Sequence, residues 1–319
     1  MERCLMGIAY SLRPALYSAR AARLFGFVCD DAQHERYIMQ RIWSLGYLSE
    51  RDKYALACGF SGSRWPLLFD EAVMDPCFPL GAGPCSAEGR QLLADPAAAF
   101  VRGGAVHRRF DAYRARGGKL HTLAYSPRPI PAGAVGNEYT FYILERTRTF
   151  LEMGSALFPD LDALAAAGGW EAVDAALQRT KWVGPTLGKM FLVSTHLCLP
   201  RLQLLRGGVE VGVGAQEAFK VLWPGLQAAA DYGPLPDRRA VLAKLFAHVA
   251  SDAAAAREPR LGGMAAWCAR AAAAKYAAQG FPAEAFTRRL NLLEFQVNLC
   301  EWRKFRCGCV HTCPNAASL

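Results

Sequence analysis

Trp182-Val183-Gly184-Pro185-Thr186-Leu187-Gly188-Lys189 has the composition of a tight turn entering a helix. Upstream, Trp170, Val173, Ala176 and Leu177 recur at a spacing that puts them on one helix face. Gly184 permits a positive φ, and Pro185 suits the first helical position because it has no N–H to satisfy and its φ is already helical. Leu187, Met190, Phe191 and Ser194 continue at helical spacing until Pro200 stops the run. The stretch therefore predicts helix, tight turn, helix. The first N–H groups of the second helix and the positive end of its dipole suit a phosphate, with Lys189 expected on an exposed flank.

Val211-Gly212-Val213-Gly214-Ala215 repeats the device, with Ala218, Phe219 and Leu222 as the apolar face, Lys220 on the flank and Pro224 as the stop. Each hairpin reads either as a phosphate dock or as an ordinary joint between two helices. Neither is a nucleotide-binding P-loop. The interval from Gly184 to Gly188-Lys189 is one residue short, and Met190 stands where a metal-binding Ser or Thr is needed.

These two turns, with the later Leu299-Cys300-Glu301-Trp302-Arg303-Lys304-Phe305-Arg306, occur in the order found in a known helical family. The chain resembles the helical domain of phage-type thymine hypermodification proteins, the 5-hydroxymethyluracil DNA kinases and alpha-glutamyl/putrescinyl thymine pyrophosphorylases. That family is similar in turn to the helix-hairpin-helix DNA glycosylases. The likeness is strongest in the C-terminal half and extends N-terminally through Glu35-Arg36-Tyr37 and Asn137-Glu138-Tyr139. It implies a mostly α, glycosylase-like helical domain that acts on, or docks to, thymine-derived bases in DNA. It also implies nucleic-acid contacts at Gly184, Thr186, Gly188, Lys189, Gly212, Gly214, Lys220, Arg303, Lys304 and Arg306, with Glu301 as the catalytic carboxylate. Trp182 stands where such hairpins carry their first glycine. No Asp follows at the distance of a glycosylase's catalytic carboxylate, so base excision is not expected.

Composition bounds the partners. The 319 residues are 52% hydrophobic and 20% charged, the balance of a folded chain, and carry a formal charge of +9. Arg102, Arg108, Arg109, Arg114, Arg116, Lys119 and Arg128 face only Asp111 between positions 101 and 128, and Phe110, Tyr113 and Tyr125 interleave with them. That segment reads either as a phosphate-pairing, base-stacking stretch or as a solvated basic surface.

Eleven cysteines in a long chain, an odd number mostly set in apolar contexts such as Cys198 and Cys268, indicate an intracellular reducing compartment rather than a secreted disulfide framework. Cys300, Cys307, Cys309, His311 and Cys313 crowd the tail, but Cys307-x-Cys309 is tight for a closed site, and no stoichiometric metal is expected. Residues 1–25 carry Arg3, Arg13, Arg20 and Arg23 against Glu2 alone, which fits either an organelle leader or a basic first helix. Arginines and prolines interrupt every apolar run, so no membrane span is predicted.

Elsewhere, 33–48 reads as a helix with Tyr37, Ile38, Ile42 and Leu45 inward, and further helices are predicted over 86–102, 137–158, 161–167, 237–255 and 263–278. Residues 60–89, rich in Gly, Pro, Ser and Cys, read as an irregular insertion within a single helical domain over 26–319. In the final helix Phe286, Leu290, Leu293, Val297 and Cys300 form one seam, while Glu301 and Lys304 are spaced to pair. Two functions follow. One is a DNA-base or nucleotide transferase with Glu301 as acid, base or metal-positioning group and Lys189 or Lys304 on phosphate. The other is a non-catalytic helical module, structural or docked to DNA or to base-modification enzymes. No cofactor is assigned.

Overall fold

The computed structural model describes residues 30–80, 83–121 and 137–204. These lie almost wholly in one compact unit, His34–Gly207. The described residues contain helices and no strand: α1 (Asp30–Trp43), α2 (Glu50–Phe60), α3 (Pro66–Phe69), a π turn (Asp70–Met74), α4 (Asp75–Cys77), α5 (Ala87–Ala94), α6 (Pro96–Ala99), α7 (Ala105–Ala115), α8 (Asn137–Leu157), α9 (Leu161–Gln178) and α10 (Pro185–Cys198). None is long and apolar enough to cross a membrane. The mostly α expectation holds for these residues.

Helix starts follow local chemistry. Ser49 Oγ accepts from Asp52 N at 3.1 Å, Ser86 Oγ from Gly89 N at 3.0 Å, and Asp95 from Ala98 N at 3.0 Å. Prolines open α3, α6 and α10. On α1 the expected stripe is buried through Ile38 and Ile42, with Leu45 just beyond the helix end.

The centre of the unit is the crossing of α2 and α8. Residues Tyr54 to Phe60 are all buried, so beyond its charged first turn α2 is enclosed on every side and carries no amphipathic period there. This explains why sequence periodicity passes over it. Two glycines set the closeness of the crossing. A Cβ at Gly62 would stand 2.5 Å from the Cα and N of Thr147, and one at Gly154 would stand 2.8 Å from Cys58 Cβ. Tyr54 reaches across to Thr195 on α10 through a 2.9 Å hydroxyl pair, and Phe150 meets Phe191 edge-on at 5.0 Å.

The segment 60–89 is not irregular throughout. Residues 66–77 form one helical run, with Leu68, Phe69, Ala72, Val73, Met74 and Cys77 buried. Its middle widens to a π turn, which breaks the 3.6-residue period that would have revealed it. The helix–turn–helix expected from Trp170 onward is present, and Trp170, Val173, Ala176 and Leu177 form the buried face of its first arm. Gly168 and Gly169 interrupt α9, the latter at φ +59, so the hairpin's first arm restarts at Trp170. The second hairpin, the alanine-rich stretches, the final helix and the first 29 residues lie outside the described residues.

Candidate functional site

The hairpin turn is built differently from its sequence expectation. Gly184 is the N-cap of α10 at φ −99, an extended conformation open to any residue, and a Cβ there would meet nothing within 4 Å. The left-handed residue is Trp182, at φ +72. Val183 N donates to Thr180 O at 3.0 Å, and the Val183 side chain is buried, which holds the turn closed. Gly184 and Pro185 are exposed, and no side chain caps the N–H groups of the first turn of α10. Arg179 and Lys181 are exposed beside it, with Lys181 Nζ 4.3 Å from the centre of the Trp182 ring.

Among the residues assigned to nucleic acid, Gly184 is at this surface, and the Thr186 backbone lies in the first turn of α10. Gly188 is buried, with Asp174 Oδ1 where its Cβ would go, so its absent side chain lets α10 approach α9. Lys189 is not on an exposed flank: it is 6% exposed. From Gly188 to Thr195 every residue of α10 is buried, so no flank of that stretch faces solvent. Gly212, Gly214, Lys220, Glu301, Arg303, Lys304 and Arg306 lie outside the described residues.

The basic stretch over 101–128 is largely paired with other side chains as far as it is described, although Arg102, Arg116 and Lys119 stay exposed. Arg102 forms a bidentate pair with Glu138, Arg109 pairs with Glu88 and donates to Ala72 O at 2.7 Å, Arg114 approaches Asp111, and Arg116 pairs with Glu71. Lys119 lies 5.2 Å over the Trp65 ring, and Trp65 Nε1 donates to the Tyr113 hydroxyl at 2.9 Å. A local excess of arginine in sequence is therefore neutralised by carboxylates 21 to 45 residues away. Arg108 is the arginine of this stretch that is described without a carboxylate partner: it donates to Gly103 O.

Behind the hairpin turn lies a feature that sequence reasoning missed. Arg146 of α8 is 3% exposed, donates from Nε to Gly62 O at 3.3 Å, and has its guanidinium 5.9, 5.1 and 6.0 Å from the ring centres of Tyr142, Phe150 and Trp182. The second buried guanidinium is Arg64, 2% exposed and held at φ +56. Burial lowers the pKa of Arg146; the Tyr142 hydroxyl, within hydrogen-bonding reach, opposes that, and the charge of Arg64 adds to it. Among the described residues no carboxylate pairs with Arg146. Tyr139, two turns before Arg146 on the same helix, has its hydroxyl enclosed and without a hydrogen-bond partner, and burial pushes its pKa up to about 12. The available signal was the spacing of Tyr142, Arg146 and Phe150, which seats a cation inside an otherwise aromatic stripe.

Asp70 marks a second charged spot, on the π turn. Arg41 Nε lies 2.8 Å from its carboxylate and the Tyr37 hydroxyl donates to it, yet burial still raises its pKa to about 6. No described trio of His, Cys, Asp or Glu is placed to hold a metal ion. His107 accepts from Gly103 N at 2.8 Å and lies 3.5 Å from Asp111, an arrangement that fixes the start of α7. His196 is half-buried on α10, and burial lowers its pKa. No family model, curated protein or solved structure matches the chain.

Proposed function

We propose that this helical protein docks to DNA through the turn between α9 and α10, as the helical domains of thymine hypermodification proteins are expected to do, and serves chemistry on thymine-derived bases. One observation carries the reading. The α10 N-terminus is exposed, without a side-chain cap and open above Gly184, and Arg179 and Lys181 flank it. A phosphate seated there would accept from backbone N–H groups and gain from the helix dipole and two exposed cations. Lys181 replaces Lys189 as the lysine of the contact. The transfer chemistry belongs, in this reading, to Glu301 with Lys304 or to a partner enzyme of a base-modification pathway.

Fluorescence anisotropy with a labelled duplex tests it. Lys181→Ala is expected to weaken binding several-fold and to reduce the salt slope by about 0.9, one phosphate contact, with an unchanged melting temperature. Binding by Lys181→Ala and Arg179→Ala indistinguishable from the parent would overturn it. A second reading, a non-catalytic partner-binding or structural module, is favoured by the pairing of Arg102, Arg109, Arg114 and Arg116 with carboxylates of this chain, which offsets most of the charge of the described basic stretch.

A further inference from the structure

The start of α7 is closed by a side chain that can take up a proton. Gly104 is the N-cap of this helix and has no side chain to offer the free N–H groups, and the first turn carries no acidic residue. His107, at the third helical position, reaches back instead, and its Nδ1 accepts from Gly103 N at 2.8 Å. Glutamate and glutamine reach back in this way in a capping box, and their side-chain oxygens remain acceptors at neutral pH. An imidazole nitrogen accepts only while it carries no proton. The bond therefore fixes the ring hydrogen on Nε2, which is enclosed, without a hydrogen-bond partner and 3.5 Å from Asp111 Oδ2. The Phe141 ring of α8 stands edge-on to the imidazole at 5.8 Å. Gly103 itself is left-handed at φ +75, and its carbonyl accepts from Arg108 Nη1, so both of its backbone polar groups are tied to side chains of α7.

We infer that His107 is a proton-sensitive cap: the turn at Gly103 and Gly104 closes on α7 while the imidazole is neutral and opens when the ring takes a proton. A hydrogen on Nδ1 would face the Gly103 N–H, so that two donors meet where a bond stood. The charge would also stand at the positive end of the α7 dipole. Both effects oppose closure. Around the ring, Asp111 favours the charged form, while Arg108 and Arg114, the latter 3.6 Å from Asp111, oppose it. Glu138 of α8 is engaged by Arg102 and Glu88 of α5 by Arg109, and on the π turn packed against α7 Glu71 is paired with Arg116 and Asp70 with Arg41. Among these carboxylates Asp111 is the one that pairs with the ring. Opening also withdraws the Gly103 carbonyl from Arg108, so acidification releases that arginine together with the turn. The inference is independent of DNA docking at the turn between α9 and α10.

Nuclear magnetic resonance of the full chain with isotope-labelled glycine and histidine tests it, over the range of about pH 8 to 5 in which imidazole titrates. The His107 ring signal and the Gly103 amide signal should move with one midpoint. Below it, protection of the Gly103 N–H against exchange should fall by up to roughly tenfold per pH unit, because each opening event takes up one proton. His107→Gln keeps a capping-box acceptor at this position and binds no proton, so the Gly103 signal should then stay constant over the same range. Asp111→Asn removes the carboxylate that favours the charged ring, so the transition should move to lower pH. A His107 ring that titrates while the Gly103 amide stays unmoved overturns the inference, and that comparison needs only the parent protein. So does a ring that takes up no proton over this range, a Gly103 transition retained in His107→Gln, or an unchanged midpoint in Asp111→Asn.

Discussion

Replacing Gly62 with alanine tests both the α2–α8 crossing and the setting of Arg146. The added Cβ would stand 2.5 Å from Thr147 Cα, N and Oγ1, where carbon atoms normally rest about 3.5–4.0 Å apart. Two of those atoms are backbone in the middle of a 21-residue helix, so the loop end of α2 must retreat by about 1 Å. Overpacking of this kind costs about 1–3 kcal/mol. The same movement carries Gly62 O away from Arg146 Nε, already 3.3 Å distant, and a lost hydrogen bond to a buried charge adds about 1.5–3 kcal/mol. At about 2–4 °C per kcal/mol the melting temperature should fall by about 5–24 °C, followed by far-ultraviolet circular dichroism. Gly46→Ala is the control: its Cβ would meet nothing within 4 Å, and its effect should lie within about 0.5 kcal/mol. A Gly62→Ala protein that melts within two or three degrees of the Gly46→Ala protein would refute the close crossing.

Asp70 should impose a pH dependence. Its folded pKa of about 6 exceeds the unfolded value of about 3.9, so its stabilising contribution is full below pH 4 and is lost as pH rises through 6, a change of about 3 kcal/mol. Urea titrations should therefore show the parent gaining stability relative to Asp70→Asn between pH 7 and pH 5, and parallel curves would contradict the burial argument. Because Arg102, Arg109 and Arg116 are paired internally, their alanine variants should change the salt slope of DNA binding by less than about 0.5 each, whereas Arg108→Ala should lower it measurably if that residue meets phosphate. A full slope decrement of about 0.9 from any of the three would show that its carboxylate partner yields to DNA. Lacking a P-loop and a glycosylase aspartate, the protein alone should neither phosphorylate 5-hydroxymethyluracil in DNA nor release bases. Mass spectrometry of digested DNA that found either product would reverse this.

Legibility in the sequence followed the range of the interaction. The hairpin arms could be read because apolar spacing, a Gly-Pro turn and Pro200 are local signals that agree, and Trp170 to Leu177 and Met190 to Ser194 are buried as their spacing requires. The turn's geometry could not, since a glycine only permits a positive φ: at Gly184 the option goes unused, and Trp182 takes the left-handed conformation. Lys189 was misplaced for a related reason, as periodicity describes one packed face and α10 is packed on all sides there. The charge surplus over 101–128 was real as composition and misleading as unpaired charge, because Glu71, Glu88 and Glu138 arrive from distant positions.

By itself, then, the sequence determined the helical class of the described residues, the hairpin from Trp170 onward and the start of α10 at Pro185, because capping, proline placement and apolar spacing act within a few residues. Only the tertiary structure decided which cations face water and which are enclosed. Burial and pairing are set by elements far apart in the chain: Gly62, from the end of α2, meets α8, and Trp182, from the α9–α10 turn, closes over it, so that Arg146, an unremarkable residue in a helical stretch, becomes a buried charge.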